Sequence, residues 1–391
     1  MSPKTLYLDC LLAAIGQAAE AIPAMVEAAD KSAERLVAGG DLYAASVRPD
    51  FVSEAFIRSG GMMMLQAFDD KREPGASDVV IVSWSSTSGS ADVELIRRLK
   101  ETGAFIVGIG PPRDELIDPI DLLVPNNPLA PTPLTDTFGG ESYPLTSVHN
   151  LVLLWAFTGE LVAALTRLGT MPAMFQSVLV PGARERNEGV GTKRFHQSHS
   201  VPPIAASDLA AAYLSEIATC LGALRDRQVG VIGEAAKACA DVIARGSHIH
   251  AFLISHFPCH QAGAPGDLGF MRRLDITHGE TPDLAELQDV LQSGDLFFFL
   301  GYYRRPVPAY ELARRRGCRI VEVITGTDEA ATDESALSWP VPDYVIEPGW
   351  PYTDALVTLP GYDIRILPAS GIVQTAIYWT ILAGITQHLN R

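Results

Sequence analysis

The sequence predicts an α/β protein made of two three-layer α/β/α domains, each a doubly wound, flavodoxin-like sheet of parallel strands. Three observations lead there. Short continuous runs of Val, Ile, Leu and Phe alternate with helical patterns, as strands buried on both faces do. One order of signals occurs twice along the chain. And 391 residues, 47% of them apolar, exceed one ordinary core while filling two.

The elements follow in order. Residues 7–36 read as helix and 41–45 as a first strand. Asp78 precedes Val79-Val80-Ile81-Val82, then come a loop, a helix over 92–102, Gly103 and a strand at 104–109. In the second half Asp295 precedes Leu296-Phe297-Phe298-Phe299, then come a loop, a helix over 308–316, Gly317 and a strand at 318–324. Residues 120–124 around Asp121 match 342–346 around Asp343, and each copy closes on a long helical pattern, 145–167 and 372–389. The polar, Gly/Pro-rich stretch 181–204 lacks periodicity and reads as a linker between domains at 1–180 and 205–391. The second domain is expected to open as the first does, with a helix at 206–225 and a short strand at 228–232.

Bulk properties exclude several classes. A formal charge of −16 argues against a nucleic-acid surface, and the basic run Arg314-Arg315-Arg316 reads as a solvated helix face. Five scattered cysteines without a C-x-x-C pair suit a reducing compartment, so the expected location is the cytoplasm. No run of about 18 uncharged apolar residues is seen, and no membrane span is expected. The apolar stretch near Leu11 and Leu12 is followed by Glu20 and Glu27 at helical spacing, as in an amphipathic helix.

Doubly wound sheets place ligands where loops leave the carboxyl ends of strands. Directly after the strand at 79–82 stand Ser83, Ser85, Ser86, Thr87, Ser88 and Ser90, ahead of a helix. Hydroxyl donors beside the unpaired N–H groups of a helix start make a neutral pocket for phosphate or carboxylate without lysine. The plainer alternative is a Ser-rich turn with one capping serine. In the first strand's loop, Ser46 and Arg48 are further anion-binding candidates. The order strand, S-x-S-G-x-S/T, helix, Gly, strand resembles the sugar isomerase (SIS) phosphosugar-binding domain. Ser83-x-Ser85 fits the motif by its position after the strand, and Ser86-x-Ser88-Gly89 by its glycine. The stretch Ser53-Glu54 followed by Arg58-Ser59-Gly60-Gly61 is similar to a bacterial subgroup of that family. Ala44-Ala45-Ser46-Val47-Arg48-Pro49 stands where family members often carry Gly-x-Gly-x-Ser.

The resemblance implies a sugar-phosphate ligand held by the loop hydroxyls, and an aldose–ketose isomerase needing a base beside the sugar. Glu54, His149 and His196 are the candidates for that proton transfer. Each has a bland alternative: a dipole-complementing glutamate, a satisfied core histidine, a solvated linker. Arg194, His199 and Asn187 join His196 in a linker that can be imagined as a lid. His248, His250, His256, Cys259 and His260 lack zinc spacing, and neither a metal nor another cofactor is expected. The second copy replaces the serine loop by Leu300-Gly301-Tyr302-Tyr303-Arg304-Arg305-Pro306. One site in the first domain is therefore expected, unless Arg304 or Arg305 binds an anion by charge. The alternatives to an isomerase are a non-catalytic sugar-phosphate sensor and a phosphosugar lyase or deaminase. A homodimer is the expected assembly.

Overall fold

The computed structural model describes residues 5–69, 72–85, 89–127, 134–190, 192–197, 201–278, 281–325 and 340–390. In the first half, helices α1 (Leu6–Ala18) and α2 (Ile22–Val37) precede β1 (Leu42–Ala45), α3 (Pro49–Ala55), β2 (Leu65–Ala67) and β3 (Val79–Ser83). Then come α4 (Ser90–Glu101), β4 (Phe105–Gly110), β5 (Leu122–Pro125) and the long α5 (Tyr143–Arg167). The second half comprises α6 (Asp208–Ala244), β6 (Ile249–Leu253), β7 (Met271–Arg273) and β8 (Leu296–Leu300). It continues with α7 (Val307–Arg315), β9 (Arg319–Val323), β10 (Tyr344–Ile346) and α8 (Ser370–Leu389).

Two five-stranded sheets are present, each wholly parallel, beside two short antiparallel ribbons. The first runs β2-β1-β3-β4-β5 and the second β7-β6-β8-β9-β10, the same flavodoxin-like order twice. The repeated aspartates explain why the two frames match. Asp78 accepts from the Asp41 and Gly75 N–H groups, and Asp295 from those of His248 and Gln292, all at 2.8–2.9 Å. Asp121 takes the Ile106 N–H at 2.8 Å and Asp343 that of Ile320 at 2.7 Å. Each carboxylate satisfies donors at the amino edge of its sheet that no ladder partner reaches.

One expected element is corrected. Residues 228–232 are not a strand but the middle of α6. The Ala-rich segment that follows keeps the helix going past Gly230, and the counterpart of β1 is β6. The loop answering to Ser46–Arg48 therefore starts at Ile254, not at Gly233.

Each sheet has an outer apolar cluster of its own, and their inner faces share one continuous core with α1, α2, α5, α6 and α8. Two helical stretches, Leu6–Val37 and Tyr143–Arg167, are apolar and long enough to cross a membrane by length and composition, a test that a buried core helix also passes. The most apolar window of Tyr143–Arg167 is wholly buried between the halves, so its apolarity is used in the core.

The indole of Trp84 holds the start of the serine loop down on β4. Its Nε1 donates to the Pro111 carbonyl at 2.8 Å, and the ring covers Gly108 and Gly110. A Cβ at Gly110 would lie 2.7 Å from the indole. Gly110→Ala should therefore lower the urea midpoint, at a cost of about 1–3 kcal/mol from overpacking. An unchanged midpoint would show that the indole yields freely.

Candidate functional site

The first sheet's strand order reverses between β1 and β3, where such folds open a crevice at the carboxyl ends of the strands. A cavity of about 230 Å³ lies there. Ser46 and Arg48 enter it from the loop after β1, Asp50 and Phe51 from α3, and Ser83, Trp84 and Ser85 from β3 and its loop. Tyr143, Ser147 and Asn150 project from the first two turns of α5, while Phe257 and Pro265 close it from the second half.

The donors are arranged, not merely present. The Ser46 hydroxyl donates to the Ser83 carbonyl at 3.2 Å and accepts from the Arg48 N–H at 3.3 Å. Arg48 Nε donates to the Tyr143 hydroxyl at 2.9 Å and to Asp50 Oδ2 at 3.2 Å, with its guanidinium over the tyrosine ring. Tyr143 also donates to Asp50. Burial, then the Asp50 charge, push that phenol well above its usual range, so it stays a donor. Two carboxylates line the cavity, and both are engaged. Asp50 takes the Phe51 N–H besides Arg48 and Tyr143, and Asp92 takes the Gly89 N–H at 3.1 Å at the start of α4.

Behind the cavity runs a chain of amides. Asn150 Nδ2 donates to Ser83 Oγ at 3.0 Å and to the Trp84 carbonyl at 2.7 Å. Asn126 Nδ2 donates to Asn150 Oδ1 at 2.7 Å and to the Thr146 carbonyl at 3.0 Å. Asn126 Oδ1 lies 2.7 Å from His149 Nδ1. Burial pushes the His149 imidazole down to about 4, so it is neutral near pH 7.

Of the residues singled out in the sequence, Ser46, Arg48, Ser83 and Ser85 meet in the cavity. Ser90 is exposed in the first turn of α4 and does not line it, and Ser86, Thr87 and Ser88 lie outside the described residues, as does His199. The three acid–base candidates are not among its lining residues. His149 points into the packing behind Ser83. His196 bonds the Tyr362 hydroxyl at 2.9 Å, and its neighbour Arg194 pairs with Asp41 at 2.7 Å, at the opposite, amino edge of the sheet. Arg194 is thus held at the end of the first sheet opposite the cavity, while Asn187 lines a different cavity, in the second half.

Glu54 sits between the halves, with its carboxylate against Gly371 at the start of α8 and 3.2 Å from Arg58 Nε. Neither of its oxygens has a hydrogen-bond partner among the described residues. Arg58 bonds Tyr302 at 2.9 Å, Asp354 at 3.0 Å and Ser370 at 2.7 Å. This buried network ties the two halves together. Arg305 is committed to buried Glu322 at 2.8 and 3.1 Å, which removes it as an anion site. His250 pairs with Asp295 and His256 with the Ser53 carbonyl, and among the described residues no three His, Cys, Asp or Glu side chains are grouped to hold a metal.

Asp50, Tyr143, Ser147 and Asn150 were not anticipated. Tyr143, Ser147 and Asn150 recur at helical spacing at the start of the long helix, a one-face pattern that does mark a polar seam. The second sheet's crevice, between β6 and β8, also opens to a cavity of about 230 Å³. Its lining mixes Tyr302, Tyr303, Phe175 and Val178 with Arg58, Asp354, His256, Ser59 and Ser177.

No family model matches the chain, and no curated protein sequence matches it. Among solved structures, the chain is similar to a candidate phosphosugar isomerase from Silicibacter pomeroyi, at 10% identity and TM-score 0.47 over 97% of this chain and 98% of that one. A candidate sugar-binding protein from Salmonella typhimurium gives 10% identity and TM-score 0.48 over 98% of each chain. Glucosamine-6-phosphate deaminase from Thermotoga maritima gives 11% and 0.42 over 96% of this chain and 94% of that one.

The Glu54 carboxyl carries a pH signature. Burial raises it from 4.5 to about 7, against the lowering effect of Arg58. The folded chain therefore holds a proton that the unfolded chain has released between those values. Stability from this group is complete below about pH 4.5 and is lost as pH rises through 7. Relative to wild type, Glu54→Gln should gain about 1–3 kcal/mol between pH 5 and pH 8, read from urea midpoints. A difference that is the same at both pH values would contradict the assignment.

Proposed function

We propose that the chain binds a sugar phosphate in the β1/β3 cavity of its first half. One observation carries this: Ser46, Arg48, Ser83 and Ser85 converge beside the start of α4, while Asp50, Tyr143, Ser147 and Asn150 line the same space. The first set suits an oxyanion, through the Ser83 hydroxyl, the Arg48 guanidinium and a helix start, with Ser46 tying the two strand-end loops together. The second set mixes donors and acceptors, as a polyol requires. The resemblance of the serine loop to the SIS domain supports the same ligand class.

Thermal-shift titration checks it. Glucose 6-phosphate should raise the Tm more than glucose does, and Arg48→Gln and Ser85→Ala should each weaken binding about tenfold. No shift with any sugar phosphate would overturn the reading.

The isomerase reading keeps one specific support, and it moves the base. Asp50 and Tyr143 form a carboxylate–phenol pair in the cavity lining. In an aldose–ketose conversion Asp50 would take the proton from C2 and return it to C1, while Tyr143 gives its O–H proton to the aldehyde oxygen O1 as the enediol forms and recovers one from the O2 hydroxyl as the ketose carbonyl forms. Asp50→Asn should then abolish interconversion while glucose 6-phosphate still binds. Turnover that survives the substitution would exclude Asp50 as the base, and binding without turnover by the unaltered chain would mark a sensor.

A further inference from the structure

Two buried polar side chains, Asn126 and His149, have no role in the binding set itself, and Asn150, which lines the cavity, is bonded to Asn126 behind it. They are costly. His149 sits on a helix buried along nearly its whole length, and its Nε2 has no partner among the described residues. An orphaned buried acceptor of this kind asks for a reason.

Hydrogen-bond polarity supplies one. A carbonyl oxygen only accepts, so the group of Asn150 that faces the Trp84 carbonyl at 2.7 Å is its NH₂. The same NH₂ reaches Ser83 Oγ at 3.0 Å. Because an amide nitrogen does not accept, Ser83 is the acceptor in that bond. The Asn126 NH₂ is fixed in the same way by the Thr146 carbonyl and by Asn150 Oδ1. That leaves Asn126 Oδ1 facing His149 Nδ1 at 2.7 Å, which makes Nδ1 the protonated ring nitrogen and Nε2 the bare one. Every bond in the series points one way.

Resting on the cavity reading above, we propose that His149, Asn126 and Asn150 form a one-directional relay holding the Ser83 hydroxyl as a donor toward the ligand's phosphate. Ser83 receives one hydrogen bond from behind, and its own O–H is left for the cavity it lines. A hydroxyl free to rotate would offer a lone pair to the oxyanion part of the time; one already accepting from Asn150 offers its proton. His149 is a positioning residue: it touches no ligand, and its N–H satisfies the far end of the series. The neutral state enforced by burial keeps that end a donor without placing a charge in the core.

The test pairs substitutions with spectroscopy. The probe is inorganic phosphate, titrated by thermal shift. His149→Leu should weaken binding about tenfold. His149→Gln, whose amide can still donate to Asn126, should recover most of the loss. In a Ser83→Ala background the His149→Leu effect should disappear, as a double-mutant cycle requires for coupled residues. In the unaltered chain, ¹⁵N NMR of labelled histidine should show His149 as the Nδ1–H tautomer. An Nε2–H tautomer overturns the relay, as does an equal His149→Leu loss with and without Ser83. Should His149→Leu fail to fold, the tautomer and the His149→Gln affinity decide. An unaltered chain that binds no phosphate defeats the cavity reading instead, and the tautomer still settles the direction of the relay.

Discussion

The structure turns on the burial of one helix. Residues Tyr143–Arg167 run between the two sheets with almost no face left for solvent, so each polar group they carry must be matched or paid for in stability. Near its start Tyr143, His149 and Asn150 reach Asp50, Arg48, Asn126 and Ser83, and Ser147 donates back to the Tyr143 carbonyl. Farther along, Glu160 accepts from the Ser207 and Ala210 N–H groups at 2.8 and 2.9 Å and so caps the start of Asp208–Ala244. The same helix thus organises the cavity and fixes the entry of the second half. Packing, junction and site share one constraint.

Against that common frame the two halves diverge where ligands are expected. Their amino edges are held by equivalent aspartates, which is a folding requirement and repeats. Their carboxyl edges differ, because nothing in the fold requires hydroxyls there. In the second half Gly301 lies under the Phe299 ring, Arg305 is spent on Glu322, and Tyr302 serves the Arg58 network. Those residues are occupied in joining the halves. Removing one partner from a network of buried charges leaves the others uncompensated, so Arg305 and Arg58 are held to their partners in this half.

The frame was legible in the sequence because periodicity and edge aspartates are local signals. The apolar runs at 79–82 and 296–299 and the closing helices stand where they were expected. The strand assigned to 228–232 failed because a short Val/Ile run with two glycines looks the same inside a helix as in a strand, and packing decides. The site was legible in its loops and not in its depths. Ser46, Arg48, Ser83 and Ser85 follow from strand-end topology. Glu54 misled because its helix is one turn longer than the cavity wall: Asp50 faces the cavity, and Glu54, four residues on, faces the other half. Asn126 and Asn150 were silent because a pairing across elements has no local pattern.

The proposed anionic ligand sits uneasily with a net charge of −16, and the way the cavity's carboxylates are held bears on that conflict. The charge is spread over the surface, where solvent screens it within about 8–10 Å. Inside the cavity the two carboxylates are already engaged, Asp50 by Arg48, Tyr143 and a backbone N–H, and Asp92 by the Gly89 N–H. Little uncompensated negative charge then faces the ligand. What does face it are dipoles with fixed direction, and in a low-dielectric pocket oriented dipoles count for more than they would in water. Lysine would bring charge without orientation. A serine hydroxyl brings orientation when something behind it sets it, which is the part proposed for the amide and imidazole groups behind Ser83.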